Sequence, residues 1–456
     1  MSRSSERWRR LALRALHHAC ALLVAVAPSV ASPDSFAGDE IDRKRLPPEL
    51  AALDDDELGR LARMSPLPPL AEDRSNRFAG NADAAELGHL LFFESRISPK
   101  GVSCATCHQP ERYFTDGKAL AEGVGVARRN APTVVDSARR RWIGWDGKFD
   151  SVWSQALAPI EHPDEMGSSR ERLLRTVRDD APLRSAFERA FGAFPAALAA
   201  ATPDPLADRS ASESDAPRQP VVNETTVLVL KALAAYQRKL ASGPTPLDRF
   251  IAALKDGGGA VGEADGLGAL SPAARRGLAT FVGRGGCYQC HRGSSFTDEE
   301  FHALGLAGAN GRVPDDPARL AALDFLQANP MNSAGSFSDE RDSPKAAMVR
   351  GLRRSGELFG QFRTPALRGV ALTPPFMHDG RFASLDDVVR FYDTLEGASP
   401  VGHHGEMLLE PLGLGEEGRA DLVAFLRALS PDLPDSGIWV NPSGTPMRTG
   451  QGGNER

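Results

Sequence analysis

The residues with the clearest chemical potential are four cysteines in two short motifs of the same form. Cys104-Ala-Thr-Cys107-His108 and Cys287-Tyr-Gln-Cys290-His291 both have the spacing C-x-x-C-H. This is the attachment sequence for c-type haem. Two thiols at this spacing add to the vinyl groups of one porphyrin, and the adjacent imidazole then reaches the iron from one face. The sequence therefore predicts two covalently bound haem c groups, one held by Cys104, Cys107 and His108 and one by Cys287, Cys290 and His291.

Structural zinc is the main alternative to haem, because paired cysteines also bind zinc ions. Paired zinc motifs usually lie about 15–20 residues apart, whereas 183 positions separate Cys104 from Cys287. A thioredoxin-like pair would need one motif and no histidine after it. Both alternatives fit this sequence less well than two haems do.

The composition is that of an ordinary globular protein. Of the 456 residues, 41% are hydrophobic and 25% are charged, which excludes wholesale disorder. The length allows up to three domains of about 150 residues each. Five cysteines are too few for a disulfide scaffold, and the net charge of −6 argues against nucleic acid as a partner.

Residues 1–31 have the pattern of a cleavable export signal. Arginines precede an apolar stretch over 19–27, and small residues at Ser29-Val30-Ala31 follow it. A transmembrane anchor would need about twenty apolar residues, and Pro28 ends this stretch well short of that. We therefore predict cleavage near Ala31 and a periplasmic protein, whose net charge becomes about −10 once the signal is removed.

Apolar residues recur at three- and four-residue intervals along the remaining chain, which is the helical period. The pattern predicts a mainly α protein built from two cytochrome c-like haem domains with long loops. We predict an N-terminal extension over 32–79, an N-terminal domain over 80–245, a C-terminal domain over 246–430 and a flexible tail over 431–456. The predicted helices are Ala84–Phe93, Leu183–Phe191, Thr225–Leu240, Pro272–Phe281, Ser384–Tyr392 and Glu416–Leu429, and surface insertions are predicted over 193–220 and 305–358.

Several further motifs surround the two C-x-x-C-H sequences. In chain order they are Leu91-Phe-Phe-Glu-Ser-Arg-Ile-Ser98, Phe114-Thr-Asp-Gly117, Arg129-Asn-Ala-Pro132, Trp145-Asp-Gly147, Gln155, Pro159-Ile160, Glu165-Met-Gly167, Phe362-Arg-Thr-Pro365 and Met377-His-Asp-Gly380. In these motifs and their order the chain resembles the bacterial dihaem cytochrome c peroxidases over about residues 80–430. That family also contains the MauG-type enzymes of methylamine utilisation.

The resemblance implies that peroxide reacts at the first haem, with His108 as its proximal ligand. The peroxidase branch has a histidine about 16 residues further on that caps the resting iron. Here Val124 stands at that spacing, and the sequence has no histidine between 109 and 161. We therefore expect a five-coordinate first haem that reacts with peroxide without prior reduction.

The resemblance also assigns a distal pair on the peroxide side of the first haem. Glu165 would move a proton between the two peroxide oxygens as a general acid and base, Gln155 would orient the peroxide, and Pro159 matches a distal-wall position. The alternative for Glu165 is a turn cap or an arginine partner. His162 is either a second base or a surface residue.

Trp145 matches the tryptophan that the family keeps between its two haems. Its oxidisable ring would shorten the electron-transfer step between them, although a role in packing alone is also open.

Tyr392 is the expected second ligand of the His291 haem. It lies 14 residues after His378, where the peroxidase branch has methionine and MauG-type enzymes have tyrosine. An anionic oxygen ligand lowers the reduction potential, whereas a thioether raises it. The helical spacing of the segment leaves a core role for Tyr392 open, and the rival ligands are Met377, His403 and His404.

One position departs from MauG. MauG carries a tryptophan six residues before its second haem histidine, which passes oxidising equivalents to a partner protein, and Gly285 stands there in this chain. A protein substrate would therefore need another exit route, and Tyr288 is the candidate.

The resemblance further implies a calcium ion between the haems. Asn130, Thr373 and Pro375 match its ligand positions, and oxygen ligands suit this hard cation. These residue types are also common in turns.

These observations together predict an exported dihaem c-type peroxidase that reduces hydrogen peroxide to water. Electrons would come from a small donor protein, either a cytochrome c or a cupredoxin. The alternatives are a MauG-like enzyme that oxidises residues of a protein substrate and a non-enzymatic dihaem electron carrier. A homodimer is a further possibility from the resemblance.

Overall fold

The structure, a computed structural model, describes residues 41–199, 219–255, 266–308, 314–399, 409–432 and 437–442. All of them belong to one compact unit that begins at Glu40. The predicted signal peptide and its cleavage near Ala31 lie outside the described residues, as do His403 and His404. Within the described ranges, every helix is too short or too polar to cross a membrane.

The described chain is mainly helical, as predicted. Its α-helices are Asp55–Ala62, Ala82–Phe92, Cys104–Cys107, Val152–Gln155, Leu157–Glu161, Arg170–Asp179, Ala181–Phe191, Gln219–Gln237, Pro246–Lys255, Pro272–Val282, Arg319–Ala328, Pro344–Gly351, Leu385–Thr394 and Gly415–Arg427. Short 3₁₀ turns link many of them. Two strands of two residues each, Phe301–His302 and Phe362–Arg363, pair antiparallel.

Side-chain caps set the start of several helices. Asn81, Ser271 and Ser384 each accept a hydrogen bond from the backbone N–H three residues further on. These bonds satisfy amides that have no partner inside the helix.

Two helix pairs make the same close contact in the two halves of the chain. Ala82–Phe92 packs on Gln219–Gln237, and Pro272–Val282 packs on Gly415–Arg427. A Cβ at Gly88 would overlap the carbonyl oxygen of Ala232, and a Cβ at Gly277 would overlap that of Asp421. Each crossing therefore depends on a glycine that lets two backbones touch.

Two separate hydrophobic cores follow from these pairs. The first is built mainly from buried residues between Ala84 and Leu240. The second combines residues from Leu247 to Leu429 with apolar residues of the N-terminal extension, among them Leu50 and Met64, which are fully buried. The part of the extension over 41–64 therefore belongs to the second core, whereas Phe78 packs against the first.

The tail is a point where the structure differs from the prediction. Residues 431–456 were expected to be flexible, but Gly437–Trp439 forms a 3₁₀ turn and Trp439 is only 6% exposed. Tyr236 Oη donates a hydrogen bond of 2.8 Å to the Ile438 carbonyl. Aromatic burial and this bond hold the segment 437–442 against the first core.

The segment 305–358, predicted as an insertion, contributes the helices Arg319–Ala328 and Pro344–Gly351. It packs against the first half of the chain. The ring of Phe325 meets that of Phe149 edge-on at 5.5 Å, and the Ser333 backbone N–H donates to buried Asp150 at 2.8 Å.

Candidate active site

The first C-x-x-C-H motif forms a single helical turn, Cys104–Cys107, that ends at its histidine. Ser103 precedes this turn, and its backbone N–H donates to Thr106 Oγ1 at 3.0 Å. A residue beyond this turn orients the His108 ring, because His108 Nδ1 donates to the carbonyl oxygen of Phe114 at 3.1 Å. A carbonyl can only accept, so Nδ1 carries the proton and Nε2 is left with a free lone pair.

The second motif repeats this arrangement. His291 Nδ1 donates to the carbonyl oxygen of Phe296 at 3.0 Å. Phe114 and Phe296 both have a left-handed backbone, with φ of 58° and 55°, and both are fully buried. Non-glycine residues rarely adopt this conformation, so packing holds the two carbonyls toward the two histidines.

Sequence reasoning missed Phe296, although a signal for it was present. The tripeptide Phe-Thr-Asp occurs at 114–116 and again at 296–298, six and five residues after the respective histidine. A short segment repeated at similar offsets from two identical motifs indicates a shared support for both histidines.

Burial affects the chemistry of the motif side chains. It raises the pKa of the Cys104, Cys107 and Cys287 thiols to about 12. It also lowers the pKa of His108 and of His291. Neutral thiols and neutral imidazoles are thus the stable forms in this fold.

Glu165 lies beside the first motif. Its charge acts on both thiols of that motif, Cys104 and Cys107, so the carboxyl group is within electrostatic reach of each. Burial raises the pKa of Glu165, against the opposing effects of His162 and Lys148. A half-buried carboxyl with a raised pKa holds a proton more readily than an exposed glutamate, which suits a group that takes up and returns a proton.

A tight loop fixes the backbone of Glu165. The N–H of Val124 donates to the Glu165 carbonyl at 2.8 Å. A Cβ at Gly123 would overlap the same carbonyl oxygen, so the loop reaches Glu165 only because residue 123 is glycine. Val124, the position where the peroxidase branch has its capping histidine, therefore lies directly against Glu165.

Gln155 and Pro159 stand on two short consecutive helices, Val152–Gln155 and Leu157–Glu161. Both side chains are half-buried. The Gln155 amide has no side-chain hydrogen bond to the described residues, so it is available to a ligand. The Pro159 carbonyl accepts from the Met166 N–H at 3.0 Å, which links the second helix to the residue after Glu165. His162 is exposed, and its Nδ1 lies 4.0 Å from Glu165 Oε1.

A single cavity of about 290 Å³ surrounds the second motif. Cys287, Cys290 and His291 line it, and the predicted residues Trp145, Tyr392, Asn130, Thr373 and Pro375 line it as well. The fold thus brings together side chains that are up to 262 positions apart in the sequence. Gly285 also lines this cavity, and a Cβ there would lie 2.6 Å from the carbonyl oxygen of Thr280.

Tyr392 reaches the cavity from the helix Leu385–Thr394. Burial raises the pKa of Tyr392, and the nearby Cys287 and Cys290 add to this shift. Within the described residues its hydroxyl group makes no hydrogen bond. Met377 lines the same cavity, so it stays a candidate for the second ligand beside Tyr392.

Trp145 is fixed by backbone contacts on both sides. Its Nε1–H donates to the Asn130 carbonyl at 3.0 Å, and its own carbonyl accepts from the Arg363 N–H at 2.8 Å. Trp153, by contrast, is buried in the first core at 0% exposure, and Trp142 is buried at 2% exposure in a separate small cluster with Leu326 and Val349.

Asn130 holds its neighbours through both its amide and its backbone. Its Nδ2 donates to the Lys118 carbonyl at 2.7 Å, which leaves the side-chain oxygen pointing away from that bond, and its backbone N–H donates to the His378 carbonyl at 2.8 Å.

Cys290, Asp298 and His302 form a cluster whose ligand atoms lie within 4.8 Å of one another. His302 Nε2 is 2.9 Å from Asp298 Oδ2, and Cys290 and Asp298 raise the pKa of His302 to about 9. Because Cys290 is a member of the second C-x-x-C-H motif, this cluster belongs to the haem site.

The residues fit haem c at both motifs. In each histidine Nδ1 donates to the carbonyl of a buried phenylalanine. This bond fixes the ring and leaves Nε2 unprotonated, as iron binding by an imidazole requires. The second motif also opens on a cavity lined largely by apolar side chains, as a porphyrin requires.

Comparisons with known proteins agree with this geometry. Residues 82–256 match the family model of the di-haem cytochrome c peroxidases. The methylamine utilization protein MauG of Methylorubrum extorquens is 33% identical over 351 residues, which is 75% of this chain and 77% of that protein. The cytochrome-c peroxidase IdrP1 of Denitromonas iodatirespirans is 31% identical over 376 residues, which is 81% of this chain and 87% of that protein.

Solved structures support the fold. A MauG-like protein associated with microbial copper homeostasis superposes with a TM-score of 0.56 at 24% identity, over 83% of this chain and 98% of that one. The diheme peroxidase BthA of Burkholderia thailandensis gives 0.54 at 23% identity, over 81% and 90%. The chain belongs to the di-haem cytochrome c peroxidase family, whose members are peroxide-dependent oxidoreductases with two c-type haems.

Proposed function

We propose that this protein reduces hydrogen peroxide to water at the His108 site, with electrons that enter through the His291 site from a small donor protein. The observation that carries the proposal is the position of Glu165, which lies beside Cys104 and Cys107 with a raised pKa. Haem c, attached at Cys104 and Cys107 and at Cys287 and Cys290, would supply the redox-active iron. His108 and His291 would be the proximal ligands.

Glu165 would take a proton from peroxide and return it to the leaving oxygen. A base positioned in this way contributes about 10²–10⁴-fold to a rate. Gln155, whose amide has no other partner in the described chain, would donate a hydrogen bond that orients the peroxide. Pro159 would form the wall beside it, and Val124 would leave the distal side open.

Trp145 would carry electrons between the two sites. It lines the cavity of the second motif, and its backbone and indole N–H are both fixed. A fixed aromatic ring between two redox centres needs little reorganisation when an electron passes.

Tyr392 would be the second ligand of the second haem. In its favour are its place on the cavity wall and a hydroxyl group without another partner in the described residues. The contribution of Cys287 and Cys290 to its raised pKa supports a position beside the second motif. Met377, His403 and His404 remain the alternatives.

We also propose a calcium ion held by Asn130, Thr373 and Pro375. The three residues line one cavity with Trp145, and the Asn130 carbonyl accepts from the Trp145 indole. A cation at this place would fix the position of Trp145 between the two sites.

Location and domain division are further parts of the proposal. Family members are typically periplasmic c-type cytochromes, which agrees with export by a signal peptide over 1–31. The two separate hydrophobic cores support haem domains over 80–245 and 246–430. A homodimer is retained from the family resemblance alone.

A MauG-like reaction on a protein substrate is the second candidate function. The 33% identity to a MauG over three quarters of the chain favours it, as does tyrosine at 392. Gly285 argues against the route that MauG uses, because this position lacks the MauG tryptophan. Any side chain there would also overlap the backbone of Thr280. A protein substrate would have to be oxidised through another residue, and we keep Tyr288 as the candidate.

The first experiment adds one equivalent of peroxide to the fully ferric holoprotein and follows both haems by EPR and optical spectra. Loss of both ferric signals without prior reduction would support the open first site. Glu165→Gln should slow this reaction at least a hundredfold. Glu161→Gln is the matched control, because Glu161 is exposed and pairs with Arg170 at 2.8 Å; this variant should react like the wild type. No reaction in either redox state would leave a non-enzymatic electron carrier.

A further inference from the structure

Three consecutive arginines after Asp136 differ in their partners. Arg139 pairs with Asp136, with Nε 3.2 Å from Oδ1. Arg141 pairs with Glu300, with Nη1 2.9 Å from Oε1. Arg140, between them, has no carboxylate within ion-pair distance among the described residues.

Arg140 makes only backbone hydrogen bonds. Its Nη2 donates to the carbonyl oxygens of Thr133 and Val135 at 3.1 and 3.3 Å. Its Nε is buried and has no hydrogen-bond partner among the described residues. The side chain lines the cavity of the second motif, and its charge also acts on His108 of the first motif.

A second buried guanidinium adds to the uncompensated charge. Arg363 lines the same cavity, and its Nε is also buried without a partner. Glu299 is the carboxylate near both, and it lies 3.3 Å from Arg363 Nη1. Burial lowers the pKa of Arg140 to about 10, and repulsion by Arg363 adds to this effect. Asp136 also attracts Arg140, but its carboxylate is paired with Arg139. Two buried guanidinium groups that each keep an unpartnered Nε call for a further negative charge.

We propose that Arg140 is an anion-binding residue of the second haem site and that its ligand is a propionate carboxylate of that haem. The inference rests on the proposed attachment of haem at Cys287 and Cys290. A guanidinium presents paired N–H donors that match the two oxygens of a carboxylate. The propionates are the anionic groups of haem c, and the rest of the macrocycle suits the apolar lining of the cavity.

Arg140 thereby sets the reduction potential of the second haem. The oxidised haem carries one positive charge more than the reduced haem, so a nearby cation favours reduction. Loss of that cation should lower the ferrous-to-ferric ratio at a fixed ambient potential. The expected size is on the order of tenfold for one unit charge at about 10 Å in a medium of intermediate dielectric constant.

The test is a spectroelectrochemical titration of both haems at pH 8, with the full-length holoprotein. We expect Arg140→Leu to lower the ferrous-to-ferric ratio of the second haem about tenfold and Arg140→Lys to restore most of it. Arg141→Leu is the matched control, because Arg141 is paired with Glu300; it should leave the potential unchanged. A purely structural role of Arg140 would alter stability in both Arg140 variants without this dependence on charge.

Haem content separates the two proposals. Two haems per chain with an unchanged potential in Arg140→Leu would overturn the role of Arg140 while leaving haem attachment intact. A wild-type peptide containing Cys287 and Cys290 that carries no haem would instead overturn attachment at the second motif. A wild-type potential that depends on chloride or phosphate concentration would show that Arg140 binds a free anion, which also overturns the propionate assignment.

Discussion

Trp439 packs edge-on against Phe114, with ring centroids 5.2 Å apart and an angle of 73° between the planes. Phe114 is the residue whose carbonyl accepts the hydrogen bond from His108. The two neighbours of Trp439 are also tied down, since the Ile438 carbonyl accepts from Tyr236 and the Val440 carbonyl lies 2.8 Å from His89 Nε2. Segment 437–442 therefore supports the proximal side of the first site.

Replacement of this indole should weaken both the fold and the first site. Truncation of a buried aromatic side chain typically costs 3–5 kcal/mol, so we expect Trp439→Ala to lower the free energy of unfolding by about 3 kcal/mol. Because Phe114 loses its support, the EPR signal of the first haem should change while that of the second stays the same. Denaturant titration and EPR of the holoprotein measure the two effects.

Trp439→Phe is the control for this change. It keeps an aromatic edge against Phe114 and should retain most of the stability and the wild-type EPR spectrum. A loss below about 0.5 kcal/mol in Trp439→Ala, the range of ordinary surface substitutions, would mean that the segment does not pack on the first core in solution.

The pH dependence of the peroxide reaction should follow the charges around Glu165. As a base, Glu165 acts only when ionised, so the rate should fall as the pH drops through its pKa. Burial raises that pKa above 4.5, and the fall should therefore begin at a higher pH than for an exposed glutamate. Stopped-flow rates of the ferric protein between pH 4 and 8 measure this fall, the acid limb of the pH–rate profile.

Two neighbours of Glu165 should move the limb in opposite directions. Lys148 lowers the pKa of Glu165, whereas Asp164 raises it. We expect Lys148→Met to shift the limb to higher pH and Asp164→Asn to shift it to lower pH. Shifts in the same direction in both variants would contradict Glu165 as the titrating group.

Much of this molecule follows from local patterns in the sequence. The C-x-x-C-H motifs, the helical periods and caps such as Ser271 are signals contained within a few residues, and the helices that they predict are confirmed within a few positions. The mainly α class follows from the same signals, and the family follows from the resemblance carried by the further motifs over about residues 80–430.

Long-range contacts could not be predicted in this way. The two glycine crossings at Gly88 and Gly277 depend on backbones more than 140 positions away along the chain. Trp439 lies in a polar, glycine-rich segment, and only the aromatic surface around Phe114 explains its burial. The unpaired donor of Arg140 becomes visible only when the cavity is formed.

The glycine crossing of the second core gives a sharp prediction for stability. A methyl group at Gly277 would overlap the Asp421 carbonyl and crowd the Cβ of Phe425 at 2.9 Å. Overpacking of this kind typically costs 1–3 kcal/mol, so Gly277→Ala should lower the free energy of unfolding by about 2 kcal/mol or more, although alanine favours helices.

Gly59 offers the matched control. It lies in the helix Asp55–Ala62, and its nearest neighbour is the flexible end of Arg63 at 3.4 Å. Gly59→Ala should therefore be neutral or stabilise by up to about 1 kcal/mol. Equal effects of the two substitutions in denaturant titration would rule out the backbone contact at Gly277.

Tyr392 gives the prediction that separates the two branches of the family. If its oxygen is bound to the second haem, Tyr392→Met should raise the potential of that haem, because a thioether favours the reduced state and an anionic oxygen favours the oxidised state. The ferric variant should then fail to lose both EPR signals on addition of peroxide and should react only after one haem is reduced. Tyr392→Phe removes the oxygen while keeping the ring, so it should abolish the tyrosinate signature without introducing a sulfur ligand. An unchanged spectrum and potential in Tyr392→Phe would exclude Tyr392 as the ligand and leave its rivals Met377, which lines the same cavity, His403 and His404.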